Sequence, residues 1–314
     1  LAGGSLQLGG SFQIASSAIP TLNGSSFLNL NNFQQPLAGL NFVNEGGTAP
    51  LFGAGNGSSY PGGSCTSGDP TITMTSTAGL RVGQIITAPG TRIPPGTYVQ
   101  QIVDATTVIL SQPAINSASG ITFTAWGATQ ISGTISAVSS NLNAAIIGPF
   151  NGGLDLNGAN QVFDVAPVTA MGNAAIAPFT HTLSVDAVVL DSAQAGAGLV
   201  KTGSGLLRLS NAYSTFTGGV QVQRGGLIIA VDSAPSAAGA GVVTSGPVGI
   251  GVLTMGTSTG SNTRLLMGTA GVALLNDYSI SGTHTFSGLN SGSLNGSITL
   301  PAGQTLLTVE TPAA

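Results

Sequence analysis

Between residues 198 and 231 the chain reads GLVKTGSGLLRLSNAYSTFTGGVQVQRGGLIIAV, a run of short apolar–polar alternations cut by glycine-containing turns. Leu207 and Leu209 point one way and Leu206, Arg208 and Ser210 the other. Val220 and Val222 alternate with Gln221 and Gln223, and Leu227, Ile229 and Val231 form a third stripe. Between them stand Gly203-Ser204-Gly205, Gly218-Gly219 and Gly225-Gly226, where a positive φ or a close backbone approach is least costly. The same period predicts strands at 5–8, 11–14 and 27–30, then at 71–75, 82–87, 97–103, 107–111 and 121–125. It recurs at 130–135, 182–190, 206–210, 220–223, 227–231, 252–255, 264–267, 278–286 and 305–309. Only 135–147 (ISAVSSNLNAAII) offers a helical alternative, so helix is expected to be scarce.

Stripes this short cannot each support a core, so they must stack. Irregular glycine-rich spacers and weak self-similarity favour stacked coils over a sandwich, because each coil then needs only a short inward stripe. At about 25 residues per coil the roughly 250 residues outside the inserted module would form about ten coils.

The central run resembles the passenger-associated transport repeat of autotransporter-type bacterial surface proteins. The matching residues are Leu199, Lys201, Gly203, Gly205, Leu207, Leu209, Ser210, Asn211, Tyr213, Thr217, Gly218, Val222, Gly225 and Leu227. Looser echoes at 151–164, 181–190, 246–255 and 298–309 look like flanking strands of the same kind. The resemblance implies a right-handed parallel β-helix (β-solenoid) and a role in surface display, not a defined reaction.

Three sections follow from texture: 1–63, an N-terminal β segment expected as a cap or donor strand; 64–126, a small β-barrel or sandwich module; and 127–314, the parallel β-helix. Residues 53–63 (GAGNGSSYPGG) read as a linker. In the middle section the turns are short and include Pro94-Pro95-Gly96. Its run 79–99 (GLRVGQIITAPGTRIPPGTYV) looks like a module of giant bacterial surface proteins, interrupted here by Pro89 and Arg92. That likeness implies an inserted β unit and says nothing about catalysis.

Charge changes the picture most. Charged residues make up 5% of the 314, against about 25% in ordinary domains. A mean hydropathy of +0.39 coexists with the absence of any apolar run of about 18 residues, so the hydrophobicity is dispersed. Six Lys and Arg residues give no basic patch, which removes the driving force for nucleic-acid or anionic-membrane binding. Membrane-barrel strands need about 9 to 11 residues and aromatic girdles, whereas these stripes are shorter and aromatics are 5%; the chain is not expected to span a membrane. Weakly charged surfaces associate, so the expected partner is a second copy of the chain, with surface glycans as the alternative. Cys65 is the only cysteine and reads as a buried small apolar residue. The start at Leu1, without a signal peptide, suits a processed piece of a secreted precursor.

Candidate chemistry is thin. Asp186 with Asp191, or Asp155 with Asp164, could form the acid pair of a glycosidase if about 5 to 9 Å apart; a lyase would add a Lys or Arg base and calcium. Ten acids and six bases fall in no dense motif, and Asp164 and Asp277 sit in turn-like contexts where Asp caps backbone N–H groups. His181 and His284 lack zinc-ligand spacing and read as exposed strand residues. No phosphate-binding loop, nucleophile elbow or calcium-binding glycine repeat occurs. Asn23-Gly24-Ser25, Asn56-Gly57-Ser58 and Asn295-Gly296-Ser297 are sequons, but Asn-Gly is first a turn signal. Phe150, Phe163, Phe179, Tyr213, Phe216, Tyr278 and Phe286 would be core fillers, or else the lining of a sugar groove. No catalytic, cofactor-binding or metal-ligating residue is assigned. The expected function is a non-catalytic, extracellular or cell-surface structural subunit of a fibre or layer. The alternatives are an adhesin or glycan-binding passenger, and a polysaccharide-degrading β-helix enzyme.

Overall fold

The computed structural model describes residues 1–53, 57–148, 152–193, 195–235, 242–258, 260–288, 290–300 and 305–310. Its centre is one 18-stranded sheet in which every pairing is parallel, folded so that the strands form two columns. Thr21–Asn29 joins the columns: Leu22 pairs with Phe42 in the first, and Leu28 with Phe52 in the second. From Leu40–Asn44 onward the chain visits the first column, the second and then a third side, and returns one coil further along. Ala128–Thr129, Gly153–Asp155 and Val188–Leu190 pair on that third side, as do Val272–Leu274 and Gly292–Leu294. The protein is a parallel β-helix.

Ten strands stack in the second column among the described residues, from Ala2–Gln7 to Thr305–Glu310. Their registers build an inward ladder of Leu28, Phe52, Ile147, Val185, Leu209 and Ile229, all almost fully buried. Each such side chain contributes about 1.5–3 kcal/mol of burial, and each coil's hydrogen bonds come from its neighbours. The expected stripes therefore fall as read: Leu207, Leu209, Val220, Val222, Leu227 and Ile229 face in.

Helix is scarce among the described residues, as expected: 135–147, the one stretch with a helical alternative, forms two strands, Ile135–Ser139 and Ala145–Gly148. Ile135, Ala137, Ala145 and Ile147 alternate inward, and stacking overrides a weak local period. Residues 11–14, expected as a strand, are a turn, with Phe12 at φ 57 and its ring exposed.

Residues 1–53 belong to the same stack as the rest of the solenoid: Leu40–Asn44 pairs residue for residue with Ile135–Ser139, and Leu51–Gly53 with Ala145–Gly148. The segment between them carries a six-stranded antiparallel sheet that begins at Ser58 rather than 64 and ends at Trp126. It has its own core around Ile72, Val99, Val108 and Phe123. It docks on the third side, where Ile85 meets Val188 and Leu190 with Tyr98, Trp126 and Tyr213 around them. Cys65 is buried in this module, its Sγ donating to the Asn116 carbonyl at 3.3 Å.

Candidate functional site

The central repeat places a lysine inside the solenoid. Lys201 occupies an inward position, between Phe163 on one neighbouring coil and Val222 on the other, and it is fully buried. Its ammonium donates to the carbonyls of Thr202 (2.6 Å), Gly203 (2.8 Å) and Arg224 (3.1 Å). These carbonyls lie at the corner between the columns on two successive coils, where Gly203 and Gly225 both take positive φ, 72° and 70°. A Cβ on Gly205 would collide with the Ala166 backbone. Burial pulls the Lys201 pKa down to about 7, opposed by the Asp164 carboxylate. The Lys and Gly positions of the repeat thus clamp one coil corner to the next.

A second buried polar group lies near the far end. His284, expected to be exposed, is fully buried. Its Nδ1 contacts Thr263 Oγ1 at 3.0 Å and its Nε2 the Tyr278 hydroxyl at 2.8 Å, with Phe286 packed edge-on. The correction follows from strand parity, since His284 shares the inward side with Phe286. Burial pushes its pKa down to about 4, against the Thr263 hydrogen bond. The hydroxyls of Thr263 and Tyr278 satisfy a neutral ring.

The acidic residues are dispersed. Asp155 is buried and accepts from Gln130 Nε2 (3.1 Å), the Asn157 amide (3.1 Å), and the amide (3.0 Å) and hydroxyl of Ser192. Asp164 stands on the outward side of Gln161–Val168, in a strand rather than the turn expected for it, and accepts from Thr202 Oγ1 at 3.1 Å. Asp191 accepts from the amide and hydroxyl of Thr217 at 3.1 and 2.7 Å. Asp277 caps the Ser297 amide at 2.9 Å. Neither expected pair lines a common groove, and each larger groove among the described residues meets at most one carboxylate. No three His, Cys, Asp or Glu residues converge on a metal-sized site among the described residues.

One flank groove, ≈ 370 Å³, gathers His181, Ser184, Asp186 and Arg208. Asp186 accepts from Ser184 Oγ at 2.6 Å and from Ser210 Oγ, and pairs with Arg208 at 3.4 Å. The Ser184 hydroxyl is therefore given to a carboxylate and not to the imidazole, which is not the geometry of an activated nucleophile. Burial, then the charge of Arg208, push His181 down to about 4, with Asp186 opposing.

No family model and no curated protein sequence matches the chain. Among solved structures it is similar to the Gp54 tailspike of Acinetobacter baumannii bacteriophage AP22, solved in complex with A. baumannii capsular saccharide. The identity is 11% and the TM-score 0.22, over 91% of this chain and 63% of that one. The chain thus spans less than two thirds of the tailspike's length, and the β-helix assignment rests on the strand registers themselves. Phe163, Phe216 and Tyr278 are core fillers, Phe286 packs against the core, and Tyr213 lies at the module junction. Phe179 is exposed and its ring meets the guanidinium of Arg264, which lines a groove of ≈ 580 Å³. Phe150 and Asn56 lie outside the described residues.

Exposed apolar side chains occur along the chain, at Val82, Leu142 and Met171 among others, and also on the first and last strands of the second column. Every residue of Ala2–Gln7 is exposed, with Leu6 at 47%. At the other end Leu306, Leu307 and Val309 are 61%, 45% and 78% exposed, and Ile298 and Leu300 also face solvent. Leu307 and Val309 continue the registers of His284 and Phe286, so they are the next rungs of the core with nothing above them among the described residues. Parity alone would have placed 305–309 on the inward ladder. Among the described residues no helix is long and apolar enough to cross a membrane.

Proposed function

We propose that the chain is a non-catalytic structural protein of the cell exterior, a subunit whose β-helix stacks end to end on further copies into a fibre. The observation that carries this reading is the all-parallel stack itself, in which each coil draws its hydrogen bonds from the coils on either side, in a chain with little charge to oppose association. Ala2–Gln7 and Thr305–Glu310 are six residues each, belong to the same column and run in the same direction as every strand between them. Strands alike in direction and column let a second copy of such a stack continue the same parallel pairing along the axis. Such head-to-tail contacts propagate as filaments. Edge strands that stay monomeric are normally protected by charge, proline or a covering element. Here the first edge carries no charged side chain, and the second carries only Glu310. The likeness of residues 198–231 to the autotransporter passenger repeat supports placement at the cell surface, and the scattering of the hydrogen-bonded carboxylates among the described residues favours this reading over the enzymatic alternative.

The test is electron microscopy and light scattering of the purified chain across a range of concentrations, beside variants with Leu6→Lys or Leu307→Lys. Filaments with an axial repeat of one solenoid, lost in either variant, are expected. Dispersed monomers at every concentration, or filaments indifferent to charge at both edges, would overturn the reading.

A further inference from the structure

A groove of ≈ 580 Å³ lies on the flank, away from the module. Its floor is made by corner turns of successive coils at Ser204, Gln223 and Asn262, and its wall by the excursion that follows Gln161–Val168. Arg224 and Arg264, two of six basic residues in a chain of net charge -4, converge on it. They differ in how they are held. The Arg264 guanidinium stacks 5.5 Å from the centroid of the Phe179 ring, and its only carboxylate partner among the described residues is the exposed Glu310, at a loose 3.6 Å. Among the described residues the Arg224 side chain has neither an ion pair nor a hydrogen bond. A stacked guanidinium is pre-oriented and presents a planar fork suited to a carboxylate. Around the two arginines the coil corners contribute hydroxyls and amides and the wall contributes apolar Pro167, Ala174, Ala177 and Pro178, with no further charge in the lining.

We infer that this groove binds an acidic oligosaccharide, its carboxylates on Arg224 and Arg264 and its hydroxyls on the Ser, Asn and Gln side chains of the coil corners. The pattern of two separated cations in a neutral trough matches a ligand that alternates charge with hydroxyls. A nucleic acid would need a denser basic surface for counterion release. The inference is independent of end-to-end assembly, since the groove is on the flank. Glu310 already occupies Arg264 weakly, so a ligand carboxylate competes with an exposed partner and not with a buried one.

Isothermal titration of the whole chain with tetragalacturonate, its methyl ester and inorganic sulfate tests this. The acid is expected to bind, and the ester at least about tenfold more weakly, because one charge-assisted contact is worth about that factor. Arg224→Gln, at an exposed position, should weaken binding by a similar factor without lowering the melting temperature; Arg264→Lys, which keeps the charge but loses the fork, should also weaken it. Equal binding of acid and ester, no effect of Arg224→Gln, displacement by equimolar sulfate, or no heat from the acid at millimolar concentration would each overturn the inference.

Discussion

The ammonium of Lys201 donates to the carbonyl of Arg224, 3.1 Å away on the adjacent coil. With the Thr202 and Gly203 carbonyls it completes the three donors of a lysine, buried at a position where neighbouring coils carry Phe163 and Val222. Replacing Lys201 by Met would leave three carbonyls without their donor, and a loss of about 2–4 kcal/mol is expected. Urea denaturation monitored by circular dichroism measures it. Because the folded-state pKa is lowered from 10.5 to about 7, the unfolded chain binds the extra proton between these values. Wild-type stability should therefore rise from pH 7 towards 9.5, and the rise should be missing in Lys201→Met. Tyr278, whose pKa burial raises well above 10, acts in the opposite sense only above that window.

His284 predicts the acid limb. Its folded pKa lies near 4, below the unfolded 6.5, so its contribution is fully present above pH 6.5 and is lost as pH falls towards 4. A loss on the order of 2–3 kcal/mol by pH 4.5 is expected from that shift. Thermal melts at pH 7 and 4.5 should show a smaller drop in His284→Gln than in wild type. His181→Asn separates the second, less enclosed histidine from the first. Asp69 and Asp104, whose pKa values are lowered from 3.8 by backbone hydrogen bonds from Thr71 and Thr106, act below this window.

Two glycines distinguish close approach from backbone strain. Gly205→Ala places a methyl group inside the Ala166–Pro167 backbone, and the coils must part to admit it. A loss of more than about 3 kcal/mol is expected, enough to unfold the repeat locally. Gly120 takes φ +67 but a Cβ there meets nothing within 4 Å, so Gly120→Ala should cost only about 1 kcal/mol. Paired melting curves decide the matter, and comparable losses would refute the distinction.

The docked module offers a further measurement. Ile85 packs against Val188 and Leu190 on the third side of the solenoid. Ile85→Asp would bury an unpaired charge there, so the solenoid and module should uncouple before either unfolds. Limited proteolysis between residues 127 and 134 should accelerate in the variant, with the β signal in circular dichroism retained.

Much of the fold was legible because the inward stripes are short and regular. Leu207 with Leu209, Val220 with Val222, and Leu227 with Ile229 announce their orientation by alternation alone, and the glycine pairs between them mark the corners. Leu40–Asn44 was missed because Asn41 and Asn44 disguise a buried alternation around Leu40 and Phe42, and Gln161–Val168 was anticipated only through the loose echo at 151–164. Residues 135–147, where a helical alternative stayed open, become strands because neighbouring coils supply strand partners. The polar interior was less readable. Lys201 stands in the repeat as a conspicuous basic residue, yet only the third dimension shows it facing in, since its acceptors come from two coils. Arg224 and Arg264 are 40 residues apart in sequence; the stacking of corners brings them to one groove.

The coils differ widely in length: one closes between Lys201 and Val222, another takes the chain from Phe163 to Lys201, and the one carrying the module runs from Leu40 to Ile135. Each nevertheless advances the stack by one strand spacing, about 4.8 Å. Axial distance in this molecule is thus counted in rungs and not in residues. Loops and whole domains can be gained or lost at the corners while everything above them stays at the same height, so the solenoid keeps its measure as a ruler whatever it is made to carry.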